Sequence, residues 1–553
     1  MSDFLSAERY AFGPWSYFER AIGRLLIHKG WQNVQIVGKT GDRGGDIIAS
    51  LNGEEWVIQV KHSGTNRDLT VDIVGDVANA MDYFGIEKGL CISNRNLGPA
   101  QQKKLGTFTN SSYKIQTLTG KSLLNAFDQL NEWIIDDRQP RPYQEECINE
   151  LIASYKSGSN KGMICLATGM GKTFVACQFL KWLFEKDKNL NVLILAEMES
   201  LIEQFEQSLW TSLPKTVTTN LLTGKKKPHF MDGVLLSTFG SIDSFLSENQ
   251  DLIFDILIID EAHHSRARTY ENSINQLNPR YTLGLTATPF RKDRLSLNNL
   301  FGEALVYYNV SRGIKKGYLA EVDYRMKGNN IDIDWIPKKS KKGYTIKQLN
   351  KKLFIPVALE KICEEFIAYW KKYDRQSGIF YCHSVEHATR VEKIFRSTFS
   401  FPAASFTNKN SNEENARRLR LFRNGRLKVL IAYDKLNEGV DVPNVDILCY
   451  GRVTHSRTIF LQQLGRGLRL KTDKKRKLLV LDYVDDLRRI GAVQRIAGEI
   501  QDESNNDIEV LKLDKGFQLS YNDKSTQNFI DLVEPDAIEL DEEENEDRLI
   551  QFQ

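Results

Sequence analysis

Hydrophobic positions in this chain change period several times, and each change marks an element. In residues 15–31, "WSYFERAIGRLLIHKGW", apolar side chains recur at Trp15, Phe18, Ile22, Leu25 and Leu26. That is the spacing of an amphipathic helix, with Gly30 placed to end it. The period then shortens. "DIIASL" and "EWVIQVKH" are rich in β-branched and aromatic residues and flank Asn52-Gly53, the strongest short-range signal for a two-residue hairpin turn. In that register Leu51 faces Glu54, Asp46 falls opposite Gln59, and Lys61 lies two residues further along the same face.

After the polar, Pro-containing stretch "DDRQPRP" (136–142), strand-like runs alternate with helical patterns up to about residue 310. The runs are "GMICLA", "NVLILAE", "GVLLSTF", "FDILIID" and "YTLGLTAT". A second set follows: "GIFYC", "LKVLIAYD", "VDILCYG" and "KLLVLDYV". Such alternation predicts two α/β units, each a parallel sheet with crossover helices. The Lys-rich stretch 336–352 between them reads as a solvated linker rather than a DNA-contacting arm.

Composition narrows the class. At 553 residues the chain should hold three or four domains of roughly 100–200 residues each. No apolar run approaches a membrane span and no basic-then-apolar leader opens the chain, so no membrane partner is expected and the cytoplasm is the expected compartment. Seven scattered cysteines form no CxxC pair, which argues for small core residues rather than zinc ligands or disulfides. The net charge of +3 hides an asymmetry: residues 531–548 hold ten acids and one Arg, so the body is distinctly basic and suits a polyanion. The acidic stretch itself reads as solvating, disordered sequence.

The hairpin brings an acid, an amide oxygen and an ammonium to one face. Asp46 and the Gln59 carbonyl are hard oxygen donors suited to Mg²⁺, and Lys61 can orient a water or offset developing charge in phosphodiester hydrolysis. A solvated hairpin with Asp and Lys on its wet face is the plainer reading. The order helix with Phe-Glu, Gly-Trp, Gly-Asp-Arg-Gly-Gly-Asp, then Gln-Val-Lys-His resembles the Mrr-type restriction endonuclease domain over about residues 8–125. That family belongs to the PD-(D/E)xK nucleases, here with Gln in place of a second acid. The resemblance implies Asp46, Gln59 and Lys61 as the catalytic set, with Glu19 assisting.

"ATGMGKT" (167–173) follows a predicted strand and opens a predicted helix, the place for a phosphate cradle. Gly169 and Gly171 allow backbone N–H groups to approach phosphate oxygens, with Thr168 in the same loop. Lys172 would reach the β/γ-phosphates of ATP, and Thr173 would ligate Mg²⁺. "FDILIIDEAHH" (254–264) delivers Asp260 as a second Mg²⁺ ligand and Glu261 to polarise the attacking water. Together these resemble superfamily 2 helicases and translocases of the restriction-enzyme type, over about residues 140–490. The resemblance assigns "PRPYQ" to adenine recognition through Gln144 and "LTATP" to coupling through Thr286 and Thr288. It further assigns "FYCHSVEHA" to the first strand of the second motor domain, and "NEGVDVPNVD" to sensing of nucleotide and nucleic acid by Gly439 and Asp441. "QQLGRGLR" contributes Gln462, with Arg466 and Arg469 as arginine fingers.

The expected architecture is α/β multidomain: an N-terminal PD-(D/E)xK nuclease fold (1–130), then two RecA-like parallel-sheet motor domains (138–310 and 351–495). A linker (311–350) separates the motor domains, and a C-terminal extension (496–553) ends in the acidic tail. The expected function is an ATP-dependent DNA translocase or helicase carrying a Mg²⁺-dependent endonuclease, in restriction or anti-phage defence. Its expected partners are DNA, in duplex form, and specificity or defence-system subunits. A repair or remodelling helicase whose nuclease-like domain only binds DNA is the alternative, followed by an RNA helicase and an ATP-gated scaffold.

Overall fold

The computed structural model describes residues 4–37 (except 6), 45–249 (except 109–111, 135, 137, 225 and 229–231), 252–262, 277–287, 294–326, 358–433, 436, 442, 445–451, 457–470, 477–483 and 517–521. Three sheets organise these residues. In the first, β1 (Gln32–Ile36), β2 (Ile47–Leu51), β3 (Glu54–Lys61), β4 (Lys88–Ser93) and β5 (Lys114–Thr119) lie in sequence order. The β1–β2 and β2–β3 pairs are antiparallel, whereas β3–β4 and β4–β5 are parallel. Helices α1 (Ala7–Phe12), α2 (Trp15–His28), α3 (Ile73–Phe84), α4 (Pro99–Thr107) and α5 (Lys121–Asp128) complete this part. Phe18, Ile22, Leu25 and Leu26 of α2 join Ile47, Ile58, Val60 and Ile92 in its core, as the helical stripe predicts. Trp15 departs from that stripe. It opens the helix at 42% exposure, one turn short of the residues that reach the core.

The second sheet has the order β12-β6-β11-β10-β7-β9-β8. Its strands are β6 (Lys161–Leu166), β7 (Val192–Ala196), β8 (Thr219–Leu222), β9 (Val234–Thr238), β10 (Ile256–Ile259), β11 (Tyr281–Thr286) and β12 (Ala304–Tyr308). Strand β10 is parallel to β7 and β11, and β9 to β7 and β8. Helices α6 (Pro142–Lys156), α7 (Lys172–Lys186), α8 (Glu199–Leu209) and α9 (Phe239–Glu248) connect the strands. The third sheet, β15-β16-β14-β17-β18-β13-β19, is parallel at all six neighbouring pairs. Its strands are β13 (Val322–Met326), β14 (Gly378–Tyr381), β15 (Ala403–Phe406), β16 (Val429–Ala432), β17 (Ile447–Tyr450), β18 (Leu478–Asp482) and β19 (Phe517–Tyr521). The fold is thus a mixed nuclease-type sheet followed by two RecA-like parallel sheets.

Two boundaries differ from expectation. Within the expected linker 311–350, residues 311–315 form most of the short helix Val310–Lys315, and β13 enters the third sheet beside β18. Alternation in "VDYRM" is too short, next to a Lys-rich stretch, to stand out as a strand. Strand β19 places part of the expected C-terminal extension in the same sheet. Residues 327–350 of the linker and the acidic tail lie outside the described residues. The seven cysteines are all free and buried, as their apolar surroundings predict. No helix among the described residues is long and apolar enough to cross a membrane.

The molecule divides into two compact units. One comprises Met1–Ile164, Thr173–Leu285 and Asn298–Leu305; the other comprises Cys165–Lys172, Thr286–Leu297 and Val306–Gln553.

Candidate functional site

The hairpin forms in the predicted register, from Ile47 opposite Ile58 to Leu51 opposite Glu54. Asn52 (φ 53°) and Gly53 (φ 79°) supply the two positive φ angles of the turn. One step beyond the last ladder pair, the Asp46 N–H donates to the Ile58 carbonyl at 3.0 Å, which holds Asp46 beside Gln59. Gly45 makes this approach feasible, because a Cβ there would come within 3.1 Å of Ala80 Cβ and Val57 Cγ1.

Asp46 and Gln59 are each 1% exposed. Asp46 Oδ2 accepts from Gln59 Nε2 at 2.5 Å and from the Val60 N–H at 2.6 Å. Gln59 Oε1 is buried and accepts no hydrogen bond among the described residues. A buried amide oxygen without a donor, beside an oriented carboxylate, fits a hard divalent cation. Lys61 Nζ lies 3.1 Å from Asp76 Oδ2, in the first turn of α3. The sequence reading missed Asp76, for its pairing arises only when α3 packs on β3. Glu19 is buried on α2. His62, next in sequence after Lys61, donates through Nε2 to the Tyr10 carbonyl at 3.0 Å, and burial lowers its pKa.

The nucleotide candidates lie on the other two sheets. Gly169 (φ 90°) and Gly171 (φ 84°) adopt backbone conformations that L side chains rarely reach. Within one compact unit, Gly169 also lies against the helix Arg457–Gly467 and the residues that follow it. A Cβ on Gly169 would sit 2.9 Å from the Gly465 carbonyl oxygen and 3.3 Å from Arg469 Cγ. The Thr168 hydroxyl is buried and has no partner among the described residues. A glycine cradle with a spare hydroxyl, opening α7 at Lys172 and Thr173, fits a nucleotide phosphate. Arg466 is buried in the same unit, where its charge opposes the upward shift that burial imposes on the Tyr381 hydroxyl.

Asp260 follows β10, and its N–H donates to the Leu195 carbonyl at 2.9 Å. Its carboxylate adds to the burial that raises the Cys177 thiol, on α7 one turn after Thr173. Glu261 has φ 47°, and its N–H donates to Asp260 Oδ1 at 3.0 Å. Gln144 accepts from the Arg141 N–H at 2.9 Å, closing the first turn of α6. Thr286 ends β11, fully buried. Thr288, Gly439 and Asp441 lie outside the described residues.

Three families match the chain in series. Residues 13–127 match the Restriction endonuclease family (Mrr_cat), 137–291 the Type III restriction enzyme, res subunit, and 358–471 the Helicase conserved C-terminal domain. Among curated relatives, irc3 of Schizosaccharomyces pombe, named as a mitochondrial ATP-dependent helicase, is 29% identical over 66% of this chain and 61% of its own length. The Type I restriction enzyme EcoAI endonuclease subunit of Escherichia coli is 23% identical over 60% of this chain and 44% of its own. The chain therefore spans about half the length of the curated relatives it matches. A solved structure of the ATP-dependent Type ISP restriction-modification enzyme LlaBIII bound to DNA is 14% identical. It covers 93% of this chain and 41% of its own, with a TM-score of 0.52, a likeness of fold. An Mrr-type restriction endonuclease domain is thus joined here to both halves of a helicase motor of the restriction-enzyme type.

Proposed function

We propose that this chain is an ATP-driven DNA translocase that carries its own Mg²⁺-dependent endonuclease and acts in restriction or anti-phage defence. We assign the nuclease to residues 1–130, the first motor domain to 138–310 and the second to 351–495, with β13 added to the second. The observation that carries the reading is a buried Asp46–Gln59 pair with a spare amide oxygen, in the same chain as a glycine cradle built for phosphate.

In the nuclease, Asp46 and Gln59 Oε1 are the groups to hold the metal, which when bound supplies polarisation of the phosphate and a more acidic water. The Val60 N–H fixes the carboxylate so that one oxygen keeps its direction. Lys61 offsets charge on the phosphate, with Glu19 assisting. In the motor, Lys172 and the loop amides take the phosphates, and Thr173 and Asp260 are the metal-holding residues. Glu261 orients the attacking water, Arg466 and Arg469 offset charge on the phosphoryl group, and Gln144 reads the adenine. Thr168, Gly439 and Asp441 belong to the same nucleotide set. Duplex DNA is the partner, with specificity or defence-system subunits supplying target choice.

Cleavage of supercoiled plasmid with Mg²⁺, with and without ATP, tests the reading against Asp46→Ala, on methylated and unmethylated DNA. Cutting by the unmodified protein alone, stimulated by ATP, is the expected result. A second reading has its own support: Gln59 puts an amide where a second carboxylate would strengthen a metal site. DNA-stimulated ATPase with no cutting under any condition would favour a repair or remodelling helicase whose first domain binds DNA.

A further inference from the structure

Helix α2 is buried on two faces. One face enters the nuclease core; the other, carrying Arg20, Gly23 and Arg24, packs on elements of the second sheet within the same compact unit. Gly23 makes room for the Trp210 ring, since a Cβ there would come within 3.3 Å of Trp210 Cζ3. Arg24 is 1% exposed. Its guanidinium donates to the carbonyls of Val217 (2.7 Å), Pro214 (2.8 Å) and Leu213 (3.4 Å), and lies 4.3 Å from the centre of the Phe4 ring. Burial lowers its pKa to about 10, so it stays cationic at neutral pH. Arg20 Nε lies 3.1 Å from the buried Glu206 carboxylate, which also accepts from Thr219 Oγ1 at 2.7 Å. At the edge of the seam Arg9 pairs with Asp232 at 2.5 Å, and Glu132 pairs with Lys188 at 3.0 Å.

The residues gripped by Arg20 and Arg24 sit at one end of α8 or just beyond it. The other end of α8 begins three residues after β7, at the sheet edge where the Leu195 carbonyl receives the Asp260 N–H. An eleven-residue helix spans about 16 Å, so α8 runs from the Asp260 edge of the motor sheet to the nuclease helix. Rigid helices with packed ends carry displacement between sites.

We infer that Arg20 and Arg24 are positioning residues that clamp α2, the helix bearing Glu19, to α8 and the 212–218 segment. Nucleotide and DNA occupancy at the Asp260 edge then reaches the nuclease through a continuous packed connection. The cleavage consequence rests on the proposed nuclease reading; the mechanical link does not.

The test uses the full chain as Arg20→Gln, Arg20→Lys and Arg24→Met, with a non-hydrolysable ATP analogue and duplex DNA as probes. In the unmodified protein, adding both should slow amide exchange in α2 at least threefold. Arg20→Gln and Arg24→Met should lose that response and lose at least tenfold of the ATP stimulation of cleavage, with DNA-stimulated ATPase within twofold. Arg20→Lys keeps a cation opposite Glu206 and should retain both. Unresponsive α2 amides in the unmodified protein, or a full response in folded Arg20→Gln, would overturn the clamp. Should no protein cut plasmid, the nuclease reading fails while the exchange measurement still decides the inference. Should Arg24→Met not fold, the Arg20 pair carries the test.

Discussion

At the scale of single residues, Gln59 sets how much charge the nuclease sheet holds. With an amide at this position the pair holds a single carboxylate, and the Gln59 N–H₂ spends a hydrogen bond on it while Oε1 remains available. Gln59→Ala removes that oxygen and should lower Mg²⁺-dependent cleavage at least 100-fold, with DNA-stimulated ATPase unchanged. Gln59→Glu sets two buried carboxylates against one another, a repulsion that only a proton or a cation relieves. Its melting temperature should fall in EDTA and recover with Mg²⁺, whereas the unmodified protein should respond less; equal responses would remove the metal from this pair. Asp46, Gln59 and Lys61 were legible together because a two-residue turn fixes the register on both sides of it. Asp76 and Arg24 were not. Asp76 reads as a first-turn helix acid and Arg24 as part of a polar stripe until another element covers them.

At the scale of elements, legibility followed apolar content and not length, for β10 has only four residues. Buried strands such as β7 and β10 announce themselves, because a parallel strand covered on both faces is a continuous apolar run. The edge strands β8, β12, β15 and β19 and the near-edge strand β13 have four or five residues each, and adjoining polar sequence hid them. The hairpin turn carries a direct test. Gly53 (φ 79°) has open space where a Cβ would go, so Gly53→Ala adds backbone strain and no clash. It should cost roughly 1 kcal/mol, read from denaturant midpoints. Helix α2 supplies a pH test. Burial first, then the charges of Arg24 and Lys215, lower His28 from 6.5 to about 3. Between those values the unfolded chain takes up a proton that the folded chain refuses, so stability falls as pH drops below 6.5. From pH 6.5 to 5 the loss from this group is about 2 kcal/mol, and above about pH 7.5 it contributes almost no slope. Melting temperatures measured across that window should drop less steeply in His28→Phe; equal slopes would assign the acid sensitivity elsewhere.

At the scale of the whole molecule, cutting and ATP hydrolysis are assigned to different sheets, with one helix seam joining the first sheet to the second. Lys172 opens α7 at the end of the glycine cradle, so Lys172→Ala should abolish ATP turnover, measured as phosphate release with and without DNA. Asp46 lies beside the nuclease hairpin, where its carboxylate accepts from the Gln59 side chain and the Val60 N–H. Asp46→Ala should therefore abolish cleavage while phosphate release stays within twofold. The two variants do not have to mirror each other. If the seam transmits motor state, Lys172→Ala should also depress cleavage to the level seen without ATP, even though its nuclease side chains are untouched. A Lys172→Ala protein that cuts at the full ATP-stimulated rate would mean that DNA binding alone, without turnover, sets the nuclease. An Asp46→Ala protein that loses both activities while folded would mean that the nuclease sheet takes part in motor action as well as riding on it.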